Sequence, residues 1–339
     1  MNYRKLGIAT IIVVYLVVVA GGVVRSTGAG MGCPDWPRCF GSWVPPTDIS
    51  QLPANYQEIF GAKLKGEVLF NPVKTWTEYV NRLVGALAGV FVFATFIASL
   101  QYWKRDKTIV GLSLLSFLLM GFQGWLGAKV VSTELKPLMV TLHMLVAIII
   151  VFVLIYAVAR AYSEVSEVEK VTQKPKLNFI LATAIILSVV QILMGTQVRE
   201  AIDEVIFRIG YERRDQWIEQ ASQSGLWFYT HRSFSLVVFA FHMWFIRSLM
   251  KNTNQNGLLR SYGKAMLALV GLEILTGVIM AYFSIPAYLQ PVHLTLSIIM
   301  LGVQFVAFLL LNAENVFGRI NRTEADFFAA SLHTSNVRN

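Results

Sequence analysis

The sequence predicts an all-α membrane protein of eight transmembrane helices arranged as two pseudo-symmetric four-helix bundles. Three observations carry that class. Hydrophobic residues make up 55% of the 339 and charged residues 14%, with a mean hydropathy of +0.56, which leaves too little polar surface for a chain of this length in water. Eight apolar runs, at roughly 7–24, 79–100, 108–127, 140–160, 178–196, 229–249, 264–283 and 289–311, are long enough to cross a bilayer. The run Glu78-Tyr79-Val80-Asn81-Arg82 is echoed by Phe228-Tyr229-Thr230-His231-Arg232, and 62 residues separate Asn81 from His143 just as 62 separate His231 from His293. Equal spacing across two helices and a loop indicates a duplicated unit. The halves fall at 1–165 and 166–320, and a cytoplasmic tail occupies 321–339.

The first run has a basic start and a Val18-Val19-Ala20 end, as a cleavable signal would. Its end, Gly21-Gly22-Val23-Val24-Arg25, nevertheless matches Gly195-Thr196-Gln197-Val198-Arg199 at the end of the fifth run, so it is read as a retained helix. The loop after it holds both cysteines, in Cys33-Pro34-Asp35-Trp36-Pro37-Arg38-Cys39. Two prolines and Gly32 turn this backbone enough for a disulfide, which serves either as a loop staple or as a redox-active pair. The remaining loop is too long for a connector and is expected to fold over the outer mouth of the first half.

The second run opens with Trp76, Glu78 and Arg82. Glu78 is either an acid favoured in a first helical turn or a functional group particular to this half, because its counterpart in the other half is Phe228. The third, fifth and seventh runs share a polar residue followed four later by glycine: Gln123 and Gly127, Gln191 and Gly195, Glu273 and Gly277. Each pair lies on one helix face, where glycine admits a close neighbour and the polar group bonds across the interface. Glu273, ionisable near mid-membrane, needs a partner, and His242 on the sixth run lies at comparable depth.

Lysine and arginine place the connections. Arg4 and Lys5, then Lys104, Arg105 and Lys107, then Arg160, Lys170, Lys174 and Lys176, then Arg247, Lys251, Arg260 and Lys264 mark the cytoplasmic side, and Arg319 and Arg322 place the tail there too. Both termini are thus expected inside, and the net charge of +9 reflects topology and lends no support to nucleic-acid binding. No Arg- and Ser-rich transit sequence precedes the first run, which favours the bacterial plasma membrane.

His231 and His293 occupy equivalent places on two helices that both run from outside to inside, so they can face each other at one depth. Facing imidazoles in a four-helix bundle ligate haem iron axially, with glycine, alanine and aromatic neighbours accommodating the porphyrin. A hydrogen-bonded pair or another metal is the alternative. His242 falls about 16 Å deeper than His231 and cannot reach the same iron; His333 lies in the tail. Arg25, Arg82, Arg199 and Arg232, near outer helix ends, are candidates either for haem propionates or for interfacial anchoring.

Val24-Arg25-Ser26-Thr27-Gly28, the Cys33 to Cys39 loop, Glu78 to Arg82, Gln123-Gly124-Trp125-Leu126-Gly127, and His143, His231 and His293 together resemble the heme A synthase family from about residue 5 to 311. The resemblance implies haem b, an iron cofactor, in the second half on His231 and His293, and substrate haem O in the first half near His143, Asn81, Arg25 and Arg82. It implies oxidation of the porphyrin C8 methyl to a formyl with Glu78 taking part, a haem O synthase as supplier, and an electron partner. Asn81 departs from the pattern, which usually has histidine there. Either the first site keeps only His143 on iron, or Asn81 hydrogen-bonds near the ring. Two other functions fit the histidines: a quinol-linked di-haem electron-transfer cytochrome, and a haem carrier. Neither calls for an acid and a cysteine loop beside one haem only.

Overall fold

Polar caps and prolines fix where the helices start. In the computed structural model, which describes residues 2–61, 69–163, 171–223, 225–255 and 257–317, Asn2 caps α1 (Tyr3–Ser26) by accepting from the Lys5 amide, and Asn71 caps α3 (Pro72–Ser99) by accepting from that of Lys74. Asp106 does the same for α4 (Lys107–Ser132), and Pro137 opens α5 (Pro137–Ser163). The chain continues through α6 (Lys174–Ile209), α8 (Trp227–Asn252), α9 (Leu258–Tyr282) and α10 (Leu289–Leu311). Two short helices, α2 (Tyr56–Gly61) and α7 (Trp217–Gln223), lie in the long connections. Among the described residues eight helices are long and apolar enough to cross a membrane, which makes this a multi-pass membrane protein. Exposed side chains such as Leu16, Leu87, Val90, Leu118, Ile186 and Leu236 give it an apolar outer surface.

Helix neighbours follow chain order. α1 packs on α3, α3 on α4, α4 on α5 and α5 back on α1; α6 packs on α8, α8 on α9, α9 on α10 and α10 back on α6. α1 and α5 meet α10, and α5 also meets α6. Val14, Val92, Ile150, Leu154 and Leu309 fill the junction between the two sets of four. Two glycines let α1 and α10 close on each other: a Cβ on Gly22 would lie 2.8 Å from the Pro291 Cβ, and one on Gly302 would overlap the Tyr15 hydroxyl.

Three helices extend beyond their apolar runs. α3 starts at Pro72, four residues before the Trp76 that opens the run in the sequence, so Glu78 and Asn81 stand about two turns inside it. α6 does not stop near Thr196 but continues to Ile209, because nothing in Glu200–Arg208 breaks a helix; Gly210, at φ +82°, ends it. This extension buries Ile202, Val205 and Ile206 against Trp217 and Ala221 of α7, so much of the expected loop is folded helix. α9 begins at Leu258, a turn and a half before the apolar run. The boundary at 165/166, Lys170, Arg319, Arg322, His333 and the tail 321–339 lie outside the described residues.

The cysteine loop does fold back over the helix ends. Cys33 and Cys39 form a disulfide, both fully buried, and pack with Phe40, Tyr56 and Phe60.

Candidate functional site

Glycines and polar residues at helical spacing place the site's side chains. A Cβ on Gly127 of α4 would lie 3.4 Å from His143 Cε1, one on Gly195 of α6 3.3 Å from His231 Cε1, and one on Gly277 of α9 3.5 Å from His293 Cε1. On α1, the same construction at Gly21 meets Asn81 Oδ1 at 4.0 Å. Four times, then, a glycine on one membrane helix receives the histidine or asparagine of the next. The glutamines one turn before two of these glycines hold the partner's backbone: Gln123 Nε2 donates to the His143 carbonyl (2.9 Å) and Gln191 Nε2 to that of His231 (3.0 Å).

All four receiving side chains line one cavity of about 2520 Å³, which runs between the two sets of helices. Single small-molecule pockets hold about 300–1,000 Å³, so this space suits more than one large ligand. His143 Nδ1, His231 Nδ1 and Asn81 Oδ1 are buried without a hydrogen-bond partner. These Nδ1 atoms lie near the glycines on the helix wall, which leaves Nε2 as the ring nitrogen available to a ligand, with the Gln191 amide 3.5 Å from that of His231. Cavity volume, glycine-lined walls and unpartnered imidazoles together fit a porphyrin with an axially ligated iron. Among the described residues no cluster of three or more His, Cys, Asp or Glu forms a conventional metal site, which is compatible with iron carried in by a macrocycle.

Glu78 lies on the first-half wall, nearly fully buried. Its Oε2 accepts from the Cys33 amide (2.8 Å), and its Oε1 from the Arg82 guanidinium at 2.5 Å. Arg82 also donates to the carbonyls of Cys33, Asp35 and Arg38, so one ion pair clamps the cysteine loop onto α3. Thr75 Oγ1 adds a bond to the Gly32 carbonyl. The first-turn reading of Glu78 therefore does not describe it.

The other arginines line the same cavity. Arg199 pairs with Asp203 at 2.6 Å and donates to Gln290 and to the Arg25 carbonyl, while Arg25 pairs with the same Asp203 at 3.0 Å. Arg232 is exposed, with the Tyr282 hydroxyl at 3.5 Å. Sequence reasoning missed Asp203 and Gln290; the i,i+4 spacing of Arg199 and Asp203 on α6 was the signal available for the former.

The expected pairing of Glu273 with His242 is incorrect. Glu273 Oε2 is 3.0 Å from His293 Nδ1, and Ser297 Oγ donates to Glu273 Oε1 at 3.0 Å. His242 instead sits by the Val238 carbonyl (2.7 Å) and Gln304 (2.6 Å), which in turn bonds Ser188. The reason is geometric: the residue one turn before the glycine always meets the histidine of the following helix, and for α9 that helix is α10.

A family model for COX15-CtaA, described as cytochrome oxidase assembly protein, matches residues 4–305. A Shewanella oneidensis protein named heme A synthase is 32% identical over 136 residues, covering 40% of this chain and 38% of that protein. One of the same name from Shouchella clausii is 30% identical over 141 residues, covering 41% of this chain and 39% of its own length. The matches thus span less than half of these two relatives. A Rickettsia akari protein, also named heme A synthase, is 24% identical over 331 residues, covering 89% of this chain and 96% of that protein.

Proposed function

The chain belongs to the COX15-CtaA family of cytochrome oxidase assembly proteins, and from that premise we propose that it is a heme A synthase, oxidising the C8 methyl of haem O to a formyl. The observation that carries this reading is the asymmetry of the shared cavity. Four glycine cradles recur, yet the carboxylates beside them differ: Glu78, on the side with Asn81 and His143, is nearly fully buried, paired with Arg82 and roofed by the cysteine loop, whereas Glu273 on the other side is held against the His293 ring. A di-haem cytochrome or a haem carrier has no use for that difference.

In this reading residues 1–165 form the substrate half and 166–320 the cofactor half, each a four-helix bundle, in the bacterial plasma membrane with both termini cytoplasmic. His231 and His293 hold haem b; His143 and Asn81 face haem O. The bound haem b supplies reversible one-electron transfer. With the oxygen supplied by water, turning a methyl into a formyl replaces two C–H bonds by a C=O bond, passes four electrons to a redox partner and releases four protons, two from the methyl carbon and two from the water, and these protons are what the protein's own groups must manage. Glu78 is placed to accept such a proton, or to stabilise positive charge at that carbon, with its carboxylate held by the Cys33 amide and Arg82. Arg25 and Arg199, already bridged by Asp203, supply cationic groups for propionates at the junction of the halves. A haem O synthase supplies the substrate.

The test is the haem content of membranes. Co-produced with a haem O source, the protein should yield haem A; haem O remaining unchanged would leave the cytochrome or the carrier.

The disulfide acts in this proposal as a staple, since both sulfurs are fully buried under the loop's aromatic residues. Replacing Cys33 and Cys39 together with serine should cost about 2 kcal/mol of stability, the low end for a short loop. Turnover per folded molecule should stay close to wild type. Thermal denaturation followed with haem A yield checks both, and a large loss of turnover at undiminished stability would make the pair redox-active.

A further inference from the structure

His293 differs from the other cavity histidines in what holds its ring. Its Nδ1 lies 3.0 Å from Glu273 Oε2 and 2.8 Å from Thr276 Oγ1. The Thr276 hydroxyl is also 2.8 Å from the Leu272 carbonyl and 3.1 Å from that of Glu273, and carbonyls only accept. Its single proton therefore goes to the helix backbone, and an oxygen lone pair faces the imidazole. With a carboxylate and a hydroxyl lone pair as neighbours, Nδ1 carries the ring proton and donates it, and Nε2 keeps its lone pair for the cavity.

The carboxylate is itself fixed. The Ser297 hydroxyl, one turn along α10 from His293, lies 3.0 Å from Glu273 Oε1 and 3.1 Å from the His293 carbonyl and shares its one proton between these acceptors, so α10 also contacts the carboxylate. Nothing similar stands behind His143 or His231, whose Nδ1 atoms have no partner. There the residues matching Glu273 are Gln123 and Gln191, whose amides go to backbone carbonyls, that of Gln191 lying also 3.5 Å from His231 Nε2. Neither glutamine meets an Nδ1, whereas the glutamate does. An acid in a membrane helix is expensive to keep, so one that replaces an adequate amide needs a function of its own.

That function follows from coordination chemistry. A carboxylate accepting the outer N–H of a ligating imidazole raises the electron density at the other nitrogen and makes it a stronger donor. A stronger donor stabilises the ferric over the ferrous ion and lowers the reduction potential. We propose that Glu273 is a positioning residue that acts through His293 Nδ1 to hold the cofactor haem at a low reduction potential, with Thr276 and Ser297 fixing the geometry. The proposal rests on the assignment of haem b to His231 and His293.

The experiment is a spectroelectrochemical titration of the purified protein, produced in cells without a haem O source so that only haem b is present. Glu273→Gln should retain a low-spin haem and shift its midpoint potential to more positive values. Glu273→Asp, which keeps the charge on a shorter arm, should restore part of the difference. Ser297→Ala, which frees the carboxylate without removing it, should shift the potential in the same direction by less, and it carries the reading if Glu273→Gln loses the haem. Unmoved or more negative potentials in the haem-retaining variants overturn the role of Glu273. Wild-type protein without low-spin haem would instead overturn the haem assignment.

Discussion

Alanine at His231 or His293 should abolish the low-spin haem b spectrum of the purified protein. The two imidazoles come from α8 and α10, each lodged against a glycine of the preceding membrane helix, and no other described histidine can substitute. His242 is committed to Gln304 and the Val238 carbonyl, and His143 belongs to the other set of helices. A haem with one axial bond becomes high-spin or is lost, so the change is all or nothing in the visible and electron paramagnetic resonance spectra. Loss of the His293 bond should differ in kind from loss of its carboxylate partner, which shifts a potential and leaves the spectrum low-spin. Normal low-spin spectra in both alanine variants would end the assignment.

The second large effect is expected at Glu78. Glutamine keeps one oxygen for the Cys33 amide and loses the acceptor facing Arg82, but Arg82 keeps its three carbonyl acceptors and Thr75 still holds the Gly32 carbonyl, so the loop should remain seated. What disappears is the negative charge and the proton-accepting capacity on the cavity wall. General acid–base catalysis contributes about 10²–10⁴-fold, and a loss within that range in haem A formation is expected. Cells making the variant should accumulate haem O or a partly oxidised porphyrin, while the haem b spectrum of the second half persists. Chromatography of acid-extracted haems reads this directly; wild-type haem A yield would leave Glu78 as no more than the clamp on the loop.

The eight membrane helices were legible in the sequence because lipid imposes length and apolarity on each one independently. Their ends were less so. Polar residues such as Glu200, Asp203 and Glu204 mark the edge of the apolar run without marking the end of α6, which continues because its far turns pack on α7. At the site, the repeat located Asn81, His143, His231 and His293, and the glycine pattern located the cradles of the three histidines but not Gly21 beside Asn81. Glu273 was recognised as needing a partner and was given the wrong one, since depth matching on helical wheels says nothing about which neighbour a side chain faces. The same blindness hid Asp203, whose bond to Arg25 joins residues 178 positions apart. Glu78 could be singled out by comparing the halves, but its clamp depends on where the loop carbonyls of Cys33, Asp35 and Arg38 turn.

Gly22 and Pro291 set a length scale. Because only the hydrogen of Gly22 stands between the α1 backbone and the Pro291 ring of α10, this contact helps set the separation of the helix sets carrying His143 and His293. Electron tunnelling decays exponentially with the gap it must cross, so a displacement too small to disturb either binding site would still alter the rate between them. If each set holds a haem as proposed, a methyl group at position 22 would act as a shim in that gap and slow exchange between the two.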